Sequence, residues 1–266
     1  MTRSGRAILL AAVAVVLASC AADDDQPSTP QGAAPPSDTT PGGTVTVLAA
    51  ASLTEAFEEL GARLADEFPD LEVVFSFGPS SGLVEQVLAG APADILATAD
   101  TRTMDDAVAG GAVSGEPTIF ARNTLALIVP ALNPGGVTGL ADLAREELRV
   151  AICAPEVPCG AAAQQLLQAA GVTAAPDTLA TDVKEAASLV ALGEADASLV
   201  YRTDAAAEGE AVETIDVPES DQVVNDYPVA VLADAPNPEA AQVVRDAITG
   251  EPGQQILGDA GFLAGQ

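Results

Sequence analysis

Two short corners in this sequence place small hydroxyl residues where an extended run turns into a helix: Ala49-Ala50-Ala51-Ser52-Leu53 and Gly78-Pro79-Ser80-Ser81-Gly82. A helix N-terminus leaves its first amides unpartnered and carries the positive end of the helix dipole. Such a corner can therefore hold an anion through backbone donors, and a serine hydroxyl adds one more. Val157-Pro158-Cys159-Gly160 is a third corner, a rigid turn opening onto a helix. The serines also have a structural reading. Ser52-Leu53-Thr54-Glu55 matches a capping box in which Ser52 accepts the Glu55 amide, and Ser80 or Ser81 caps the next helix. The two readings are compatible, because a hydroxyl that accepts a bond from the helix keeps its own proton to donate.

Corners of this kind need strands to deliver them and helices to receive them. Residues 44–48 alternate and then run apolar, as a strand entering a core does, and Leu53, Ala56, Phe57, Leu60, Leu64 and Phe68 then recur at helical spacing up to Pro69. The cycle repeats with an extended run over 72–77, a short helix carrying Leu83, Val84, Val87 and Leu88, an extended run over 94–98 and a helix over 101–109. Three strand-helix units within about 65 residues predict a parallel sheet covered on both faces. Strands follow over 124–129, 149–153, 197–201 and 227–232, with helices over 160–170 and 183–192. Asn237-Pro238 offers an N-cap and a first-turn proline for a helix through residue 247, and 251–260 forms a last one. In such sheets ligands sit outside the carboxyl ends of the strands, where these corners lie.

Composition removes several function classes. The 266 residues include no His and no Trp, so a Ser-His-Asp triad, a Cys-His pair and His-ligated metal sites are excluded. With no paired acid-base motif either, no enzyme is expected. A formal charge of -29 repels phosphate backbones and anionic membranes, and no nucleic-acid partner is expected. Hydrophobic content of 48% with 18% charged residues describes a folded chain with length enough for one large domain or two lobes.

Residues 1–19 read as an export signal: Arg3 and Arg6 precede an apolar run from Ala7 to Leu17 that is too short to span a membrane. Leu17-Ala18-Ser19-Cys20 resembles the bacterial lipobox, whose Cys becomes diacylated. Lipid on Cys20 is then the anchor, to the outer face of the cytoplasmic membrane. Residues 20–43, rich in Pro, Ser, Thr and Asp, cannot bury enough apolar surface to order themselves and read as a tether. Cys153 and Cys159 remain, and outside the cytoplasm two nearby thiols are expected to pair, adding local rigidity. A redox pair or a thiolate metal site is the rival for them, against which stand the spacing and the lack of further Cys or His.

The blocks Val47-Leu48-Ala49-Ala50-Ala51-Ser52-Leu53-Thr54, Phe77-Gly78-Pro79-Ser80-Ser81-Gly82-Leu83 and Gly90-Ala91-Pro92-Ala93-Asp94-Ile95 resemble the molybdate-binding proteins of ATP-driven import systems. Val157-Pro158-Cys159-Gly160, Asp182-Val183-Lys184-Glu185-Ala186, Leu199-Val200-Tyr201 and Tyr227-Pro228-Val229-Ala230-Val231 continue the resemblance in order, so it covers nearly the whole chain from Thr44. It implies a two-lobed α/β periplasmic-binding-protein fold of type II, each lobe a mixed, mainly parallel sheet flanked by helices. The chain would cross between lobes twice: residues 44–122 with 228–266 form one, 123–227 the other. It implies capture of molybdate, and of tungstate, by hydroxyls of Ser52, Ser80 and Tyr201 and by amides of the two serine corners, Cys159 and Val183. Metal enters only at the centre of that oxyanion, no cofactor is expected, and a monomer would deliver the ligand to the permease and ATPase subunits of an ABC importer. Two positions depart from the pattern: Cys159 stands where a small Ala is common, and Pro79 removes one amide. By themselves Tyr201 reads equally as a strand-end core aromatic and Val183 as a core position, and the serine corners also suit sulfate, phosphate or an organic anion.

Overall fold

The computed structural model describes residues 41–265. The signal over 1–19, Cys20 and the tether as far as residue 40 lie outside the described residues. β1 (Gly43–Ala50) begins the fold, its first residue tied by the Gly43 amide to the Asp70 carbonyl at 2.8 Å. It pairs in parallel with β2 (Leu71–Gly78) and with β3 (Ile95–Ala97). The register sets Ala50 opposite Gly78, so the two serine corners leave neighbouring strands at the same level. Between these strands run α1 (Thr54–Glu67), after one 3-10 turn at Ala51–Leu53, and α2 (Ser80–Leu88); α3 (Thr101–Ala109) follows β3. α1 buries Ala56, Phe57, Leu60 and Leu64, the face that its periodicity predicts.

β4 (Val113–Pro130) joins the two halves of the molecule. As far as Thr124 it pairs antiparallel with β9 (Val224–Leu232); from Leu125 onward it pairs with β7 (Ala197–Tyr201). Beyond β7 lie β5 (Val150–Cys153) and β6 (Thr178–Ala180), mutually parallel, while β8 (Val212–Ile215) flanks the far half of β4. The strand order is β2-β1-β3-β9-β4-β7-β5-β6, a mixed sheet in two lobes that share β4. The helices of the second lobe are α4 (Pro158–Ala170), α5 (Val183–Ala191) and α6 (Arg202–Ala207); α7 (Pro238–Thr249), α8 (Glu251–Asp259) and β10 (Leu263–Ala264) return to the first. β9 is unbroken from Val224, with Asn225 opposite Asn123.

Aromatic rings tie the lobes together at this junction. Phe57 and Phe120 lie 5.9 Å apart, Phe120 and Tyr227 6.4 Å, and Tyr227 and Tyr201 5.8 Å, so a chain of edge and tilted contacts runs from α1 through β4 and β9 to β7. Asp94, 1% exposed, is satisfied by the amides of Thr46 at 2.8 Å and Asn237 at 2.7 Å, which pins β3 to β1 and to the start of α7. Asn237 does stand at the N-cap of α7, but its side chain donates to the Gly42 carbonyl at 2.9 Å instead of capping the helix. The longer reach changes the expectation: the residue ties α7 to the chain entering β1.

Candidate functional site

Every strand that ends at the junction of the lobes hands its chain to a corner, and the corners line one small cavity with about 20 Å³ of space open to a water-sized sphere. Ser52 and Ser80 line it from the first lobe; Cys159, Val183 and Tyr201 line it from the second. All five are buried, none more than 3% exposed. Residues more than a hundred positions apart in sequence thus meet because β1, β2, β5, β6 and β7 all present their carboxyl ends to the same cleft.

The capping reading of the serines gives way to a different arrangement. The N-cap of α1 is Leu53 and that of α2 is Pro79, and neither helix has a side-chain cap. Ser80 Oγ instead accepts the Ala99 amide at 3.0 Å. Ser52 Oγ lies 2.9 Å from the hydroxyl of Tyr227, in a bond that either oxygen can donate. Tyr201 repeats the pattern, its hydroxyl oxygen accepting from Asn225 Nδ2 at 3.0 Å while the same amide group donates to the Ala99 carbonyl at 2.9 Å. Ser80 and Tyr201 thus accept a bond from behind, which leaves the single proton of each free for the cavity, and Ser52 does the same when Tyr227 donates. Burial raises Tyr201 and Tyr227 well above the ordinary phenol range, so both stay neutral donors.

Backbone amides complete the lining. α2, α4 and α5 begin at the cavity, and a helix has no internal partner for its first amides. In α4 Pro158 has no amide and Val157 O takes those of Gly160 and Ala161, so Cys159 N–H is the donor left over. In α5 the side chain of Asp182 takes the Glu185 amide at 2.9 Å, and Val183 precedes that capped turn. Asp182, half-buried, is the lone carboxylate residue of the cavity lining, and its Oδ1 is engaged as this cap. Cys153 and Cys159 are joined as a disulfide, which ties the first turn of α4 to the end of β5. Gly160 lets that turn sit so close: a Cβ there would collide with the carbonyl oxygens of Ala154 and Cys153.

The lining side chains offer hydrogen-bond donors to an anion. Gly78-Pro79-Ser80-Ser81-Gly82 spells the Gly-x-Ser-x-Gly string of a nucleophile elbow and sits at a strand-to-helix turn, which corrects the reading of the sequence as having no such string. A serine nucleophile needs a base, the chain has no His, and Ser80 Oγ accepts a backbone amide. What remains is a small buried space lined by hydroxyl and amide protons and by the positive ends of helices.

Residues 45–263 match the family model of the bacterial extracellular solute-binding proteins. The chain belongs to that family. It is 38% identical over 219 residues to the molybdate-binding protein ModA of Mycobacterium tuberculosis (strain H37Rv), covering 82% of this chain and 84% of that protein. With the molybdate-binding protein ModA of Escherichia coli (strain K12) the identity is 33% over 232 residues, covering 82% and 88%. Among solved structures it is similar to the periplasmic molybdate-binding protein of Azotobacter vinelandii, with a TM-score of 0.70 at 22% identity over 84% of this chain and 100% of that one. It is also similar to the sulfate-binding protein SubI of Mycobacterium tuberculosis, with a TM-score of 0.69 at 21% identity over 82% and 86%. These structures establish the two-lobed periplasmic-binding-protein fold.

The residues behind the cavity wall of this solute-binding protein are the ones that sequence reasoning misses. Tyr227 holds Ser52 from 175 positions away, and Asn225 holds Tyr201 from 24. No local pattern reports either pair; a hint lay in the scarcity of tyrosine, since Tyr201 and Tyr227 are the two in the chain. Ala99 acts by its amide and carbonyl alone, a role that leaves no trace in side-chain type.

Proposed function

We propose that this extracytoplasmic solute-binding protein captures molybdate, and tungstate with it, in the inter-lobe cavity and delivers it to the permease and ATPase of an ABC importer. It works as a lipid-anchored monomer held by Cys20, without cofactor and without turnover. Its relatives from Mycobacterium tuberculosis and Escherichia coli carry the name molybdate-binding protein. The observation that carries the reading is the set of three buried hydroxyls, Ser52, Ser80 and Tyr201, around one small cavity at which three helices begin. That cavity leaves about 20 Å³ of space open to a water-sized sphere, room on the scale of one or two waters and so of a small inorganic anion.

Removing a dianion from water is prohibitive unless many donors replace its hydration shell. Hydrogen bonds to a charged acceptor are worth about 1.5–3 kcal/mol each, and a helix N-terminus adds about 0.3–1 kcal/mol, so Ser52, Ser80 and Tyr201 with the Cys159 and Val183 amides supply the replacement without a buried cation. The overall charge of -29 is screened beyond about 8 Å at physiological ionic strength and does not forbid capture. Hydroxyl and amide protons favour a fully deprotonated anion, whereas phosphate carrying a proton needs an acceptor. Size then separates molybdate and tungstate from the smaller sulfate.

The likeness to a sulfate-binding protein favours one second reading, the same cleft closed on sulfate. Thermal unfolding with molybdate, tungstate, sulfate or phosphate added in turn decides between them. At about 100 times its dissociation constant a ligand adds roughly 2.7 kcal/mol, about 5–10 °C in midpoint for a protein of this size. A shift with molybdate and tungstate alone supports the proposal; a shift with sulfate alone replaces it by the second reading, and no shift with any of them overturns both.

A further inference from the structure

Lys184 is the one lysine of the chain, and it follows directly on Val183 at the cavity. Its ammonium stands 3.1 Å from Asp204 Oδ1, on α6 of the same lobe, and 2.6 and 2.8 Å from the two oxygens of Glu55, on α1 of the opposite lobe. The two carboxylates differ in surroundings. Asp204 is wholly buried, and neither of its oxygens has an aligned hydrogen-bond donor, so Lys184 is the charge that compensates it. Glu55 is 54% exposed along its side chain and can be rehydrated at little cost. Burial works against the charge on Lys184, but Asp204 and Glu55 together outweigh it and raise its pKa, so the ammonium persists.

From this asymmetry we infer that Lys184 is a latch: it stays with Asp204 whether the lobes are open or shut, and it takes up Glu55 only when they close. Removing Lys184 from Asp204 would strand a buried carboxylate, whereas parting from Glu55 returns an exposed one to water. Closure and the Glu55 contact are therefore coupled, and because Lys184 sits one residue from the Val183 amide the contact forms where the ligand is held. Arg102 on α3 follows the same plan across the cleft, near Asp100 (3.5 Å) and Asp106 (3.8 Å) on its own lobe while donating to the Glu156 carbonyl of the other at 2.9 Å. Glu55 and Lys184 are positioning residues that act on the closed state.

The inference rests on the oxyanion-binding reading, and its test separates the two. Glu55→Gln removes the latch contact at an exposed side chain and leaves Asp204 paired. At pH 8 and low salt, labelled molybdate should dissociate from this variant about 2- to 5-fold faster, the range of an exposed ion pair, with the association rate within twofold of wild type. Small-angle X-ray scattering of the ligand-free protein should give a larger radius of gyration for the variant, and the midpoint of unfolding without ligand should stay within about 2 °C. Raising the salt should erase the difference between the two proteins. Unchanged dissociation together with unchanged scattering overturns the latch. If wild type binds no molybdate, the oxyanion reading fails and scattering alone decides: a larger variant upholds the latch, an identical one overturns it.

Discussion

Tyr227→Phe isolates the idea that the cavity hydroxyls are oriented from behind. The phenol is fully buried, outside the cavity lining, and 2.9 Å from Ser52 Oγ. Phenylalanine keeps the ring contacts with Phe120, Tyr201 and Phe262 and removes a single oxygen. Ser52 then loses the donor that leaves its proton to the cavity, and its hydroxyl can turn to other acceptors when no ligand is bound. A neutral buried hydrogen bond is worth about 0.5–1.5 kcal/mol net, so molybdate affinity should fall about 2- to 12-fold, read by isothermal titration calorimetry. Ser52→Ala, which deletes the donor to the anion itself, should cost about 1.5–3 kcal/mol, or roughly 10- to 150-fold. The double variant carries the decision. In the Ser52→Ala background Tyr227→Phe should leave affinity unchanged, because nothing remains for the phenol to orient. If it costs the same in both backgrounds, Tyr227 acts through packing and the orientation argument is refuted.

Other expectations follow from the same geometry. Ser80→Ala should weaken molybdate binding about 10- to 150-fold and also lower stability without ligand by about 1–3 kcal/mol, since it orphans the buried Ala99 amide; Ser81→Ala should do neither, and calorimetry with thermal unfolding checks both. Gly160→Ala should lower the unfolding midpoint by about 3–12 °C and weaken binding, because a methyl group there pushes the first turn of α4, with the Cys159 amide, off the end of β5. Burial pushes Asp204 up to about 7 from its ordinary 3.8, against the pull of Lys184 and with the help of Glu55 and Asp182. Between those values the folded protein binds a proton that the unfolded chain has released, so stability without ligand should decline as pH rises from about 5 to 7.5, by at most roughly 3 kcal/mol. Asp204→Asn should flatten that decline in a pH series of unfolding midpoints. Asp196, lowered by Arg149, and Glu185, lowered by the Thr181 amide, lose their contribution only as pH falls below about 4, outside that window.

What the sequence tells and what it withholds divide along contact range. The alternation of strands and helices from β1 to α3 is legible because each element buries one face and repeats at its own period, and the corners that close the cavity follow from where those elements end. The first half of β4 is not legible: Gly115 and Pro117 interrupt any strand pattern, yet the chain continues as strand by taking two register shifts against β9, between Ser114 and Thr118 and between Ile119 and Ala121. The capping box at Ser52 misleads for a related reason. Its local pattern is complete, but Tyr227, brought up by the return crossing, offers the hydroxyl a partner that local pattern does not report. Likewise the sequence pairs Lys184 only with Val183 beside it, while the fold adds Asp204 from the same lobe and Glu55 from the other.

The central claim is that one molybdate sits among Ser52, Ser80, Tyr201 and the Cys159 and Val183 amides. Its most direct test is a crystal structure of the protein grown with molybdate, with data collected at a wavelength where molybdenum scatters anomalously. The account predicts a single molybdenum peak inside the cavity, with oxyanion oxygens about 2.7–2.9 Å from the three hydroxyls and the two amides. A peak elsewhere on the protein, or an empty cavity at saturating molybdate, would contradict it.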